Sequence, residues 1–276
     1  MSAAVDLAAI RKGLEDAAPR GVPVAVHTSL RSFGTVTGGA DTVIAALTQS
    51  FRTVMMPAFC WDSNAPPSSG DRPLRNGCDY AFYEGWTRPP VPYLVESARI
   101  EAAMGTVSRV FLGWPGVRRS DHPWHSWAAW GHDAEALVAD HPWSTTNLPL
   151  ERLADLDGRV LLLGVALSAC TALHVAEERA GRHPFIRWAT SREGLVRRVR
   201  AAGCAKGFDA LMPYCRHLFR EVQVGPCRIL AAPLASLIEC AAALFRARPD
   251  IGQCSPTCVR CRDAQLGGPV DPDGAW

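Results

Sequence analysis

Apolar residues recur along this chain in two rhythms. Short unbroken runs at residues 22–26, 53–56 and 160–165, each bounded by proline, glycine or polar residues, have the length of strands buried on both faces, as in parallel sheets. Helical spacing takes over at residues 4–17, from Asp41 through Val43, Ile44, Ala46 and Leu47, at 133–139, at 171–180, and at 232–247, where Leu234, Leu237, Ile238 and Leu244 mark one face. Strand, glycine-containing loop, helix and strand in that order over residues 22–56 predict a parallel pairing with a crossover helix. Residues 105–111 read as a short helix capped by Thr106. Periodicity vanishes over residues 58–98, which are rich in Pro, Gly, Ser, Asp and aromatics, a length that points to a functional, substrate-facing loop. Trp124, Trp127 and Trp130 recur every three residues and fit a helix or a strand equally, and residues 185–228 alternate apolar and basic positions as hairpins do. With no internal repeat or linker, the expectation is one continuous α/β domain over 1–276. It has a central, largely parallel or mixed sheet flanked by helices, a long loop insertion, and a C-terminal hairpin and helix region.

Composition narrows the chemistry. The formal net charge of +2 over 276 residues is too small for an electrostatic nucleic-acid binder. Lys12 and Lys206 are the only lysines, which favours the planar bidentate contacts of arginine wherever a positive group is functional. No run approaches the roughly 20 apolar residues needed to span a bilayer. The N-terminal segment, with Asp6 inside it and Arg11 and Lys12 following, reads as an amphipathic helix and not a signal peptide, so a cytoplasmic location is expected. In that compartment the ten cysteines are expected as thiols or metal ligands.

Several clusters carry candidate chemistry. The run at 160–165 ends at Gly164, a polar turn follows, and His174 and Glu177 then stand one helical turn apart on a shared face. At the carboxyl edge of a sheet, Glu177 could fix the imidazole tautomer and leave its other nitrogen to take a proton. An ordinary helix with His174 half-buried and Glu177 and Glu178 solvated fits that segment as well. The loop at 27–39 offers Thr28, Ser29 and Ser32 hydroxyls near a helix N-terminus, the parts of a phosphate cradle, without a P-loop or dinucleotide fingerprint. Arg118, Arg119 and Ser120 beside His122 and His125 suit a phosphate or a solvated turn. Cys254, Cys258 and Cys261 have the spacing of three iron–sulfur ligands, but no strand and helix series follows to build around a cluster. Structural thiols or a partial zinc site, with Cys227 as a conceivable fourth ligand, are the simpler readings.

Three blocks of sequence together are specific: residues 27–34 with Gly38 and Gly39, residues 116–123 with Ser126, and residues 161–165 leading to 173–177. In these, and in the cysteine-containing tail at 258–264, the chain resembles the aminoglycoside 3-N-acetyltransferases, which do not have the GNAT fold. The resemblance implies acetyl coenzyme A as co-substrate, held by Thr28, Ser29, Leu30, Arg31, Ser32 and Gly34 and by Thr106, Val107 and Ser108. Phe111, Val117, Arg119 and Ser120 are then expected near its nucleotide end. It implies His174 as general base with Glu177 as its partner, and direct transfer to an aminoglycoside or similar polyamine with no metal required. A polycationic substrate calls for acidic walls, and Asp62, Asp79, Glu84, Glu177 and Glu178 are the candidates. No nucleic-acid or membrane partner is expected, and the chain is expected as a monomer or homodimer. Ser168, Ala169, Cys170 and Thr171 stand where relatives often carry Asp-x-Asn-Thr, so contacts supporting the base are expected to differ.

Overall fold

The computed structural model describes residues 4–270. Among the described residues nine strands run β1 (Pro23–Thr28), β2 (Thr53–Pro57), β3 (Arg118–Arg119), β4 (Trp127–Gly131), β5 (Arg159–Leu163), β6 (Phe185–Thr190), β7 (Val196–Ala201), β8 (Arg220–Val224) and β9 (Cys227–Pro233). The helices are α1 (Leu7–Ala17), α2 (Gly39–Ser50), α3 (Gly105–Leu112), α4 (Ala134–Val138), α5 (Leu148–Asp155), α6 (Ala172–Arg179), α7 (Met212–Cys215), α8 (Leu234–Ala247) and α9 (Val259–Gln265). Seven strands form one mixed sheet in the order β3-β4-β2-β1-β5-β9-β8, and β6 and β7 pair separately.

Among these strands only the β1–β2 and β1–β5 pairings are parallel; β4 and β9 flank this centre antiparallel. The unbroken apolar runs follow from this position, because alternate residues feed two cores. Val24, Val26, Val54, Met56, Leu161 and Leu163 pack on the face covered by α1, α2 and α3. Ala25, Met55, Val160 and Leu162 pack on the other, against residues of α5, α6 and α8. Asp6 caps α1 by accepting from the Ala9 N–H at 2.8 Å, as its type and position favour. α3 differs from the sequence expectation: Met104 is its N-cap and Thr106 lies exposed inside the first turn, making no cap bond. Trp127 enters a core on a strand, which settles the tryptophan repeat.

The long excursion contains one 3₁₀ turn, Tyr80–Tyr83, but it is not loose. The β6–β7 hairpin pins it: Trp188 packs with Ala65 and Tyr83, and its indole donates to Asp71 Oδ2 at 2.7 Å. Buried Arg187 donates to the carbonyls of Asn76 and Gly77 at 2.9 and 3.1 Å.

The strand order reverses at β1, with the crossover through α2 leading to β2 on one side and β5 lying on the other. Ligands in open α/β sheets bind outside the strand carboxyl ends at such a switch point. The loops leaving β1 and β5 touch there. Gly164 holds φ +66°, and a Cβ on it would lie 1.8 Å from Ser32 Oγ, so the approach requires glycine.

Candidate active site

A cavity of about 630 Å³ opens at this switch point. His27 and Thr28 enter it from the end of β1, Pro57 from the end of β2, Val165 and Ser168 from the turn after β5, and His174 from α6. His174 shares the helix face expected with Glu177: its Nδ1 lies 2.7 Å from Glu177 Oε2, with both side chains about nine-tenths buried. A carboxylate can only accept, so Nδ1 carries a proton and Nε2 is the nitrogen not engaged by Glu177. The second oxygen, Glu177 Oε1, accepts from Arg182 Nη1 at 2.8 Å, and Arg182 Nη2 donates to the Pro249 carbonyl at 2.6 Å. Phe208 closes one side of the imidazole with ring centroids 4.9 Å apart.

Two further histidines line the cavity. Burial lowers His27 to about 4 and lowers His125 well below the ordinary histidine value, so both rings are neutral near pH 7. His125 Nε2 accepts from the Ala202 N–H at 2.9 Å, which puts its proton on Nδ1. His125 Nδ1, His27 Nε2 and Thr28 Oγ1 are buried polar atoms with no partner in the protein, all on residues of the cavity wall. Unpaired buried polar groups are costly. Three such atoms stand in this one wall.

Of the residues expected to hold a cofactor, the structure brings Thr28 and Ser108 to the cavity. The start of α3 stands against the end of β1, where a Cβ on Gly105 would lie 3.7 Å from the Thr28 carbonyl oxygen. Ser29, Leu30 and Arg31 form the turn leaving β1, with Arg31 and Gly34 exposed. Ser32 Oγ turns away, donating to the Ser29 carbonyl at 2.7 Å. Val107 and Phe111 are buried in the core beneath the sheet and Val117 packs against it, so the aromatic face of Phe111 is not offered to a ligand.

Arg119 and Ser120 are both engaged within the protein. Arg119 Nε donates to Ser126 Oγ at 3.1 Å, Nη1 to the Ser97 and Arg99 carbonyls at 2.8 and 3.0 Å, and Nη2 to the Ala58 carbonyl at 2.5 Å. Ser120 Oγ, fully buried, accepts from the Trp127 N–H at 2.9 Å and lies 3.0 Å from His141 Nδ1. These groups tie the long loop to β4. Arg119→Lys, which cannot reproduce the planar fork, is expected to lower unfolding stability by about 1–3 kcal/mol in urea titration and to leave the affinity for a phosphate-bearing ligand unchanged.

The acidic candidates scatter. Glu177 reaches the cavity only through His174. Glu178 accepts a hydrogen bond from Thr146 Oγ1, and burial pushes its carboxyl up to about 7. Asp79 accepts from the Ala81 N–H at 3.0 Å to cap its own turn, and Glu84 is exposed on the same segment. Asp62 lies 3.9 Å from Arg99 Nε beside the cavity residue Trp61. Among the described residues that line the cavity none is acidic. Two carboxylates not singled out from sequence stand directly behind its wall. Asp209 accepts from the Ser168 N–H at 2.9 Å and from Ser168 Oγ at 3.2 Å, and Glu101 Oε1 accepts from the Trp61 N–H at 3.0 Å. The departure at residues 168–171 is thus built around Asp209, while Thr171 supports His174 only through its carbonyl, which accepts from the His174 N–H at 3.0 Å.

The model of the family described as aminoglycoside 3-N-acetyltransferase matches residues 25–246. The chain belongs to this family. It is 36% identical to aminoglycoside N(3)-acetyltransferase IX of Micromonospora chalcea, over 61% of this chain and 58% of that one. With aminoglycoside N(3)-acetyltransferase VII of Streptomyces paromomycinus it shares 37% identity, over 58% of this chain and 55% of that one. The chain thus spans little more than half the length of these curated relatives. The crystal structure of the AAC(3)-IVa apoenzyme superposes with a TM-score of 0.77 at 25% identity, covering 97% of this chain and 99% of that one. The chain therefore shares the fold of that structure. Among the described residues no helix is long and apolar enough to cross a membrane.

The buried histidines set an acid limit on this fold. His27 and His141 are both lowered to about 4 by burial, against about 6.5 when unfolded. Between those values the unfolded chain binds more protons, so stability falls as pH drops, by up to about 1.4 kcal/mol per pH unit for each ring. Glu178, raised to about 7, has the opposite sign between about 4.5 and 7 and offsets one of them. His122 and His125, lowered by burial in the same direction, leave the histidines dominant. The urea midpoint is therefore expected to fall from pH 6.5 to pH 5; an unchanged midpoint contradicts this.

Proposed function

We propose that the chain transfers the acetyl group of acetyl coenzyme A to the 3-amino group of an aminoglycoside, in the cytoplasm, with His174 as general base and Glu177 as its partner. The observation that carries this is the buried His174–Glu177 pair at 2.7 Å, with the opposite ring edge on the switch-point cavity of a fold belonging to this family. The thioester arm runs between the turn after β1 and the start of α3, past Thr28 and Ser108. The amine approaches from the side of Ser168 and Trp61, where Asp209 and Glu101 supply negative charge behind a largely apolar wall.

The neutral amine nitrogen attacks the thioester carbonyl carbon while His174 Nε2 takes the proton that nitrogen loses. The tetrahedral intermediate collapses by breaking the C–S bond, and the imidazolium returns its proton to the leaving sulfur. Amide and free coenzyme A result, with no acyl-enzyme and no net proton change relative to the neutral amine. Glu177 stabilises the imidazolium through Nδ1–H. Thr28 Oγ1, which has no partner within the protein, donates to the carbonyl oxygen as its charge develops. Both substrates must be bound together, since direct transfer gains from holding the reacting atoms in one cavity.

Purified protein given acetyl coenzyme A and gentamicin should release coenzyme A and yield gentamicin heavier by one acetyl group, in proportion. A panel of aminoglycosides and other polyamines then assigns the substrate. Calorimetric binding of either substrate with no acetylated product by mass spectrometry overturns the enzymatic reading in favour of a sequestering protein.

A further inference from the structure

We infer that Cys204, Cys254, Cys258 and Cys261 form a four-thiolate site for one zinc ion, which ties the C-terminal segment to the loop that floors the cavity. Their sulfurs all lie within 4.8 Å of one another, with Cys204 to Cys254 at 3.6 Å and Cys254 to Cys261 at 3.7 Å. A tetrahedral zinc ion with Zn–S bonds of about 2.3 Å requires sulfurs about 3.8 Å apart. An iron–sulfur cluster, by contrast, spreads its four thiolates over more than one iron and needs a wider cage. All four cysteines are free thiols in the structure. Cys227, the fourth ligand conceivable from sequence, sits on β9 with its sulfur 3.2 Å from Ser32 Oγ, apart from this group.

The chain is shaped to bring these sulfurs together. Cys258 is the N-cap of α9 and Cys261 lies three residues on, one helical turn apart. Cys204 arrives from the loop after β7, fifty residues earlier than Cys254. That meeting depends on Gly207, where a Cβ would lie 2.1 Å from the Gly252 carbonyl oxygen and 2.8 Å from Cys254 N. Backbone against backbone at those distances has no flexible side chain to yield. Four thiolates and one divalent ion sum to −2, and Lys206 and Arg260 are cationic neighbours of the ligands in sequence.

The site reaches the cavity through its own neighbours in sequence. Gly203 and Ala205 flank Cys204, Arg260 lies between Cys258 and Cys261, and all three line the cavity. Asp263, on the same helix, accepts from the Gly77 N–H at 2.9 Å and so extends the tie to the long loop. The metal is structural: four protein ligands leave no open position for chemistry.

The full chain, purified under reductant without chelator, is expected to carry about one zinc per chain by elemental analysis and native mass spectrometry. Cys254→Ser and Cys258→Ser should each reduce that content severalfold, whereas Cys227→Ser should leave it unchanged. Because the site variants can fail to fold, cobalt(II) is also added to the wild-type chain after zinc removal. Expected are thiolate-to-cobalt charge-transfer bands with intense tetrahedral d–d absorption, and slower hydrogen exchange at residues 202–207 and 254–265 on metal addition. A wild-type chain with neither zinc nor a tetrahedral cobalt spectrum overturns the site. Iron in place of zinc, a disulfide among the four thiols under reductant, or full zinc retention in both site variants overturns it equally.

Discussion

His174→Ala should lower kcat by about 10²–10⁴-fold, the contribution typical of a positioned proton acceptor. No neighbour can take over. His27 and His125 stand on the same cavity, but burial makes them weak bases, His27 at about 4, and His125 Nε2 is already occupied by the Ala202 N–H. Thr28, Ser108, Ser168 and Thr171 contribute hydroxyls that are far too weakly basic to collect a proton from an amine. The loss should fall on kcat, because the binding path proposed for the thioester arm runs past β1 and α3 and not past His174. The residual rate reflects the holding of both substrates in one cavity. Steady-state kinetics by coenzyme A release, with calorimetric affinity for acetyl coenzyme A measured on the same variant, checks both halves. Undiminished turnover in this variant removes His174 as the base, and a large loss of coenzyme A affinity shows a binding role instead.

The parts of the site that were legible in sequence are those whose chemistry is local. β5 reads as a buried strand because both its faces are covered, and His174 and Glu177 meet because three residues on a helix share a face. The parts that were not legible depend on partners remote in the chain. Arg119 has the same side chain whether it meets a phosphate or the carbonyls of Ala58, Ser97 and Arg99; only the path of the long loop decides between them. Asp79, read as an acidic wall, is spent on the nearest unpaired N–H, as short carboxylates before a turn commonly are. Asp209 lies in a segment without periodicity and gains its place only when it meets Ser168, forty-one residues earlier. α5 went unseen because eight residues with Pro149 in the first turn give too few apolar repeats to register, although Leu150, Leu153 and Ala154 are buried at helical spacing. The cysteine triplet showed its spacing, but its fourth member had to come from across the fold.

Glu177→Gln is the sharper test of the pair, because the site asks two things of one carboxylate. Oε2 accepts from His174 Nδ1 at 2.7 Å and Oε1 accepts from Arg182 Nη1 at 2.8 Å. A glutamine has one acceptor oxygen and one NH₂ donor in the same outline. Turned to serve His174, it sets its NH₂ against the Arg182 guanidinium. Turned the other way, it sets NH₂ against Nδ1–H and forces the imidazole into the tautomer whose Nε2 carries the proton and cannot act as a base. The Glu177 and Arg182 side chains are each only 11% exposed, so water cannot make good the missing acceptor. Leaving one donor unsatisfied costs about 1–3 kcal/mol, and the expected result is a matching loss of unfolding stability together with a kcat lower by on the order of 10²-fold. Glu177→Ala removes both acceptors and strands the Arg182 cation, for which a loss of about 3–5 kcal/mol is expected. Pairing Glu177→Gln with Arg182→Met separates the two demands. With the guanidinium gone, the amide oxygen is free to face His174 Nδ1, so stability and part of kcat should return together. Stability that returns with no gain in kcat would show that Glu177 holds the fold through Arg182 alone and does nothing for the base.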